Sequence, residues 1–165
     1  MPLVKVLIVE DEHYAIKKVE EAIDIVGTGR GWQRVLSELV SLNDDDWYFQ
    51  IIELDDLEKA QQQIKVAHDN QEKIVVIFDV QLMTDTSIGM DDYLAARFSE
   101  DPSSLLFPMI VYTAINDAYN QLKRKNKKQS ERRHLIHKLR PEHRGEDVYE
   151  VLCMAISQCF DCYHP

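Results

Sequence analysis

The sequence has few cysteines and no long apolar segment, and both absences limit the class of protein. Its three cysteines, Cys153, Cys159 and Cys162, lie close together near the end of the 165 residues. An odd, clustered set is not the pattern of a secreted domain held by disulfides, so we expect a cytoplasmic protein. The apolar run at residues 3–9 contains Lys5 and is too short for a signal peptide or a membrane span.

The chain also lacks an excess of positive charge. Its 29 Asp and Glu outnumber its 19 Lys and Arg, giving a formal net charge of -10. Broad binding to nucleic acid or to an anionic membrane is therefore disfavoured. One basic cluster stands out, and the simplest interpretation is a solvated helix face, with a docking surface as the alternative. It consists of Lys123, Arg124, Lys125, Lys127, Lys128, Arg132 and Arg133.

Internal repeats, low-complexity tracts and long linkers are absent from the sequence as well. The length is that of one domain, and 45% apolar residues are enough to form a core. We therefore expect a single domain over residues 1–165. The only addition to its regular pattern is residues 27–47, an insertion in which apolar steps at residues 32–42 favour an amphipathic helix.

Apolar runs and helical periodicity alternate along the rest of the chain. Strands are predicted at residues 3–9, 48–54, 74–78, 109–112 and 134–137, with helices at 15–26, 57–67, 93–98, after 115, and from Glu146 to about Cys159. Gly27 is expected to end the first helix. Such alternation predicts an α/β fold with a doubly wound, five-stranded parallel sheet and helices on both faces.

Functional side chains follow four of these strands. Glu10 and Asp11 come after the first, Asp79 after the third, Thr113 after the fourth and Lys138 after the fifth. The carboxyl ends of parallel strands lie at one edge of the sheet, so these groups should converge. Clustered carboxylates suit Mg²⁺, and a lysine and a hydroxyl suit the charge of a phosphoryl group. The pattern predicts phosphoryl transfer onto a carboxylate.

The same residues resemble the receiver domains of two-component response regulators. Residues 6–12, Val-Leu-Ile-Val-Glu-Asp-Glu, resemble the family's first strand with its acidic pair, and Asp79 resembles its phosphoacceptor. Residues 111–114, Val-Tyr-Thr-Ala, resemble its strand with the switch hydroxyl, and Lys138 resembles its lysine. The resemblance covers essentially the whole chain and implies a flavodoxin-like fold similar to that of chemotaxis regulators.

The resemblance also implies a function and a role for each site residue. Asp79 would accept a phosphoryl group from a histidine kinase or phosphotransfer protein, and the signal would pass to a downstream protein target. Homodimers would form through the face from the fourth to the fifth helix. The implied ligands and contacts are Mg²⁺ held directly by Asp11 and Asp79, through water by Glu10 and by the backbone carbonyl of Gln81, and a phosphoryl group held by Thr113 and Lys138.

Three departures from the family pattern leave a second function open. The loop at residues 80–89 is longer and lacks the usual proline, and Lys138 is followed by Leu139, so we expect a trans or rebuilt turn there. Leu135 stands where the family has an aromatic switch residue. These departures favour a receiver-like adaptor that binds partners without being phosphorylated.

Four other sequence features are weaker evidence for a functional site. A phosphatase of the haloacid dehalogenase type would resemble Asp-x-Asp, but Gln81 fills the second place. Residues 27–31 are rich in glycine but follow a helix and lack a P-loop lysine, so a helix-ending turn is expected. Cys159 and Cys162 with His164 fall short of four zinc ligands and are expected to be incidental thiols. His13 adjoins the acidic pair but is expected on a helix surface.

Overall fold

A computed structural model of the protein describes residues 2–36, 41–82, 89–140 and 147–165. These residues form six strands and five α-helices. The strands are β1 (Leu3–Val9), β2 (Gln33–Arg34), β3 (Tyr48–Leu54), β4 (Lys73–Phe78), β5 (Met109–Thr113) and β6 (Arg133–His137). The helices are α1 (His13–Gly29), α2 (Leu57–Asp69), α3 (Met90–Ser99), α4 (Asn116–Lys125) and α5 (Val148–Asp161), with a 3₁₀ turn at Pro102–Ser104.

All six strands belong to one parallel sheet in the order β2-β3-β1-β4-β5-β6. Without β2, the order is that of flavodoxin-like sheets, with β1 between β3 and β4. Side chains of α1 and α5 pack on one face of the sheet, and those of α2, α3 and α4 pack on the other. The α/β class and the doubly wound parallel sheet are confirmed.

The predicted count of five strands is wrong, because the insertion contributes β2. Two residues carry no periodicity that would mark a strand, and β2 is held by its backbone. Gln33 N–H donates to Trp47 O at 3.0 Å and Val35 N–H donates to Phe49 O at 2.8 Å. The helix predicted at residues 32–42 is also wrong in its described part, which has no helical turn at 32–36 or 41–42; residues 37–40 lie outside the described residues.

The insertion packs against the C-terminal helix. Trp32 is buried and stacks on Phe160 of α5, with ring centroids 4.6 Å apart. Arg30 pairs with Asp161 at 2.6 Å and donates to the carbonyl of His164 at 2.6 Å. Trp32 is thus part of the core on the α1–α5 face of the sheet, whereas Leu36 is exposed.

Gly27 does not end α1, which continues to Gly29. A Cβ at Gly27 would overlap the ring of Phe49 on β3, which is fully buried. The glycine is therefore required by the close approach of the helix to the sheet. The remaining helices begin and end within a few residues of the predicted positions, except that the predicted start of α5 at Glu146 lies outside the described residues.

None of the helices in the part of the chain that the structure describes has both the length and the hydrophobicity of a membrane span.

Candidate functional site

The predicted site residues meet where the central strands end. Asp79 N–H donates to Val9 O at 3.0 Å, which sets the residue after β4 beside the residue after β1. Lys138 N–H donates to Thr113 O at 2.8 Å and so stands beside the end of β5. The Lys138 ammonium reaches across the sheet edge to both acids, with Nζ 2.9 Å from Glu10 Oε2 and 2.8 Å from Asp79 Oδ2.

Glu10 is buried, with 5% of its surface exposed. Its Oε1 accepts backbone N–H donors from Asp11 and Glu12, each at 3.0 Å, and its Oε2 accepts from Lys138. Burial, and then a hydrogen bond with the carboxyl of Asp79, raise the pKa of Glu10 to about 7, although Lys138 opposes the shift. Without an additional cation, the ionised form of Glu10 beside Asp79 is therefore disfavoured.

Lys138 carries the positive charge of the site. Burial acts to lower its pKa, but Asp79 and Glu10 outweigh that effect, so the pKa is raised and the side chain is an ammonium. Its Nζ also lies 5.3 Å from the centre of the Tyr112 ring, a cation–π contact. The lysine is fixed by two carboxylates that follow β1 and β4 and by a ring on β5.

Asp79 is reached from solvent through a pocket of about 480 Å³. Its Oδ1 accepts the Gln81 N–H at 3.3 Å, and its Oδ2 accepts from Lys138. Most of the pocket wall is formed by α1 and by the segments that follow β5 and β6. The lining residues are Glu12, Tyr14, Ala15, Lys18, Asp79, Gln81, Tyr112, Ala114, Ile115, Lys138 and Leu139. The carboxylate is thus accessible from one side.

Thr113 stands at the end of β5 but its side chain is fully buried. Its Oγ1 accepts the Ile115 N–H at 3.2 Å, which leaves the hydroxyl proton able to donate to another acceptor. Thr113 and His137 are register partners on β5 and β6. The residue is thus next to Lys138 through the backbone, as the sequence predicts.

A divalent cation would find hard oxygen donors here. Asp11 is half-buried beside Glu10, and Gln81 is exposed two residues after Asp79. Among the described residues, no three His, Cys, Asp or Glu side chains are grouped as a preformed metal site. The excess of carboxylates over ammonium groups, together with the raised pKa of Glu10, fits a site that gains from a cation such as Mg²⁺.

Several residues of the site are not identified from the sequence. Lys18 carries no motif, and Tyr112 belongs to the motif at residues 111–114 without a role of its own there; the structure places both in the wall of the pocket. Leu135 packs against the core on the α2–α4 side of the sheet. No cis peptide bond occurs in the described residues, so the Lys138–Leu139 bond is trans, as expected.

The basic cluster divides into two parts. Lys123, Arg124, Lys125, Lys127 and Lys128 are exposed, as predicted for a solvated face. Arg133 contradicts that prediction, because it is buried and donates to the carbonyls of Arg97 and Glu100. Its guanidinium also lies over the Phe98 ring at 5.0 Å, so the residue joins α3 to β6.

The cysteines play no part in this site. All three are free, and burial raises the pKa of the Cys159 thiol well above its usual value. His13 is exposed at the start of α1, as expected.

Comparison with known proteins gives no family for this chain: no family model matches it, and no curated protein matches it significantly.

Proposed function

We propose that this protein is a response-regulator receiver domain of a two-component system that accepts a phosphoryl group on Asp79. The observation that carries the proposal is the contact of Lys138 Nζ with both Asp79 Oδ2 and Glu10 Oε2. Residues after three different strands, far apart in sequence, meet around one accessible carboxylate. This is the arrangement expected for a carboxylate that exchanges a phosphoryl group.

The chemistry is an in-line displacement at phosphorus. An oxygen of Asp79 attacks the phosphorus of a phosphohistidine, a P–O bond forms as the P–N bond breaks, and the electron pair leaves with the imidazole. Lys138 stays beside the incoming phosphoryl oxygens, and the hydroxyl of Thr113, which is buried at the end of β5, would turn toward one of them and donate to it. The donor is a histidine kinase or a phosphotransfer protein.

Mg²⁺ is the cofactor of this proposal. Asp11 and Asp79 would bind it directly, Glu10 through water and Gln81 through its backbone carbonyl. When bound, the ion supplies positive charge to the carboxylates and to the phosphoryl oxygens. The raised pKa of Glu10 supports this role, since a carboxyl that holds a proton near neutral pH is stabilised as an anion by an added cation.

The partners follow from the same proposal. A cytoplasmic kinase or phosphotransfer protein would approach through the pocket beside Asp79, where Tyr14 and Leu139 are exposed. The output would be an altered contact with a downstream protein target or with a second copy of the chain, through the face from α4 to α5. No role for nucleic acid or membrane is included, given the net charge of -10.

A receiver-like adaptor that works without phosphorylation is the second candidate. One observation favours it: both oxygens of Glu10 already accept hydrogen bonds, and Lys138 already neutralises part of the charge. Such a site can be stable without a metal or a phosphoryl group. The accessible pocket at Asp79 favours the phosphorylated form.

The two candidates are separated by the response to beryllofluoride, an analogue of the phosphoryl group. With Mg²⁺ present, the receiver should bind it and change the backbone amide spectrum at the ends of β1, β4, β5 and β6. Asp79→Asn should abolish that response, while Asp101→Asn, which changes an exposed aspartate after α3, should leave it intact. A wild-type spectrum that ignores beryllofluoride at saturating Mg²⁺ would support the adaptor.

A further inference from the structure

His137, the last residue of β6, connects the segment that carries Lys138 to the start of α4. The residue is buried, with 3% of its surface exposed. Its Nε2 lies 2.7 Å from Oδ1 of Asn116, the first residue of α4. Its Nδ1 accepts the backbone N–H of Leu139 at 3.1 Å. One imidazole thus contacts both the segment after β6 and the first residue of α4, the helix that precedes β6.

These two contacts determine which nitrogen carries the proton. A backbone N–H can only donate, so Nδ1 must be the unprotonated nitrogen. Nε2 therefore bears the hydrogen and donates it to Asn116 Oδ1. Burial, and then the nearby charge of Arg140, lower the pKa of His137, which keeps the ring neutral at physiological pH.

Other contacts make the connection specific. The guanidinium of Arg140 donates to the same Asn116 oxygen, and the ring of Tyr119 lies edge-on to the imidazole, with centroids 5.3 Å apart. The loop leading to Asn116 is also fixed at its other end, where Ile115 N–H donates to Thr113 Oγ1. The start of α4 is therefore held by Thr113 itself and by His137, the residue before Lys138.

We propose that His137, as its Nε2–H tautomer, is a positioning residue that holds the Lys138 segment and links it mechanically to Asn116 and the start of α4. The role in signalling rests on the proposed function, since it makes α4 the element that responds when the charge at Asp79 changes. Leu135, which occupies the place of the usual aromatic switch, packs in the core, whereas His137 spans the gap between the site and α4.

We expect a displacement of the Lys138 segment to be passed on to α4. A change in charge at Asp79 alters its electrostatic attraction for Lys138 Nζ, which lies 2.8 Å from Asp79 Oδ2. The backbone of Lys138 is followed at once by Leu139, whose N–H is held by His137. A shift of this segment must either break the hydrogen bond from Leu139 or move the imidazole of His137. Because that imidazole is hydrogen-bonded to Asn116, its movement displaces the start of α4.

The test needs no phosphorylation, so its failure is separate from failure of the proposed function. Asp79→Asn removes the charge directly, and the amide shifts of residues 116–119 report on α4. We expect this substitution to shift those amides in the wild-type background. In the His137→Ala background the amide shifts should fall to less than about a third of their wild-type size, because the effects of two coupled residues are not additive. Equal shifts in both backgrounds, or none in wild type, would overturn the proposal.

Two conservative variants distinguish a mechanical link from a loss of packing. In His137→Gln the side-chain amide can still donate to Asn116, so the response of α4 should be largely restored. In His137→Asn the shorter amide can accept from Leu139 N–H but does not reach Asn116, so the response should stay weak. Asn116→Ala, at an exposed position, should match His137→Asn and covers the case in which His137→Ala does not fold.

A matched control lies on the same strand. His134 is half-buried, and its Nε2 lies 3.0 Å from the carbonyl of Glu131, at the opposite end of β6. His134→Ala should leave the response of α4 to Asp79→Asn unchanged. The ring nitrogen spectrum of His137 gives a direct check: a protonated Nδ1 at neutral pH would contradict the assigned tautomer and overturn the proposal.

Discussion

The ammonium nitrogen of Lys138 lies 2.8 Å from Oδ2 of Asp79 and 2.9 Å from Oε2 of Glu10, in a site where all three side chains are at most 12% exposed. Buried acids this close repel each other unless a cation lies between them. Lys138 is therefore both the proposed phosphoryl contact and the group that stabilises the folded site without metal.

Replacing Lys138 with methionine should lower the free energy of unfolding at neutral pH by about 3 kcal/mol, because two buried acids lose their partner. Lys138 lowers the pKa of Glu10, so its removal raises that pKa above about 7. The penalty should therefore be smallest where Glu10 is protonated in both proteins, below about pH 7, and should grow as the pH rises above that value. Urea unfolding measures both effects. Added Mg²⁺ should stabilise this variant more than it stabilises the wild type.

Lys65→Met is the matched control. Lys65 pairs with Asp69 at 3.0 Å on α2, but both side chains are exposed. Solvent screens such a pair, so its loss should cost about 0.5 kcal/mol or less. Equal effects of the two lysine substitutions would show that the Lys138 site is not a buried ion pair in solution.

Gly27→Ala should destabilise the fold by about 1–3 kcal/mol, since the new methyl group overlaps the buried Phe49 ring and the core must shift. Gly29→Ala, in the same helix, meets nothing within 4 Å. It should be neutral or stabilising by up to about 1 kcal/mol, through better helix propensity. Chemical denaturation compares the pair, and a neutral Gly27→Ala would contradict the close packing of α1 on β3.

Glu20, which lies outside the proposed site, should make the stability of the fold depend on pH. A hydrogen bond with the carboxyl of Glu53, and then burial, raise its pKa from 4.5 to about 7. The folded state then holds a proton that the unfolded state has released. The contribution of Glu20 is full below about pH 4.5 and is lost as the pH rises through about 7.

Glu53→Gln tests this dependence, because it removes the like charge while it keeps a hydrogen-bonding group. Unfolding midpoints between these pH values should fall less steeply in the variant than in the wild type. Glu58→Gln, at an exposed position on α2, should leave the slope unchanged. If the unfolding midpoint of Glu53→Gln falls with pH as steeply as that of the wild type, the Glu20–Glu53 pair is not the cause of the pH dependence.

The sequence predicts the sheet well because buried parallel strands are apolar along their whole length. The bounds of β1 and β3 are those predicted, and β4, β5 and β6 are each one residue longer. β2 is not predicted, since Gln33 and Arg34 have no apolar pattern and pair only through backbone groups. Gly27 is misassigned for a related reason: its contact with Phe49 is tertiary and leaves no local signal.

The site residues that directly follow strands are also predictable from the sequence. Glu10, Asp79 and Lys138 each follow a recognisable strand, so the rule that ligands gather at the carboxyl ends of parallel strands brings them together. The pocket wall combines Tyr112 with side chains of α1, and the contact of His137 with Asn116 depends on the short segment between β5 and α4. Neither follows from spacing.

The most direct test of the central claim is the intact mass of the protein after incubation with acetyl phosphate and Mg²⁺. We expect a gain of one phosphoryl group, located at Asp79, that is absent in Asp79→Asn and when Mg²⁺ is chelated. Asp101→Asn should gain the group as the wild type does. A wild-type protein that gains no phosphoryl group, or an Asp79→Asn variant that gains it equally, would contradict the account.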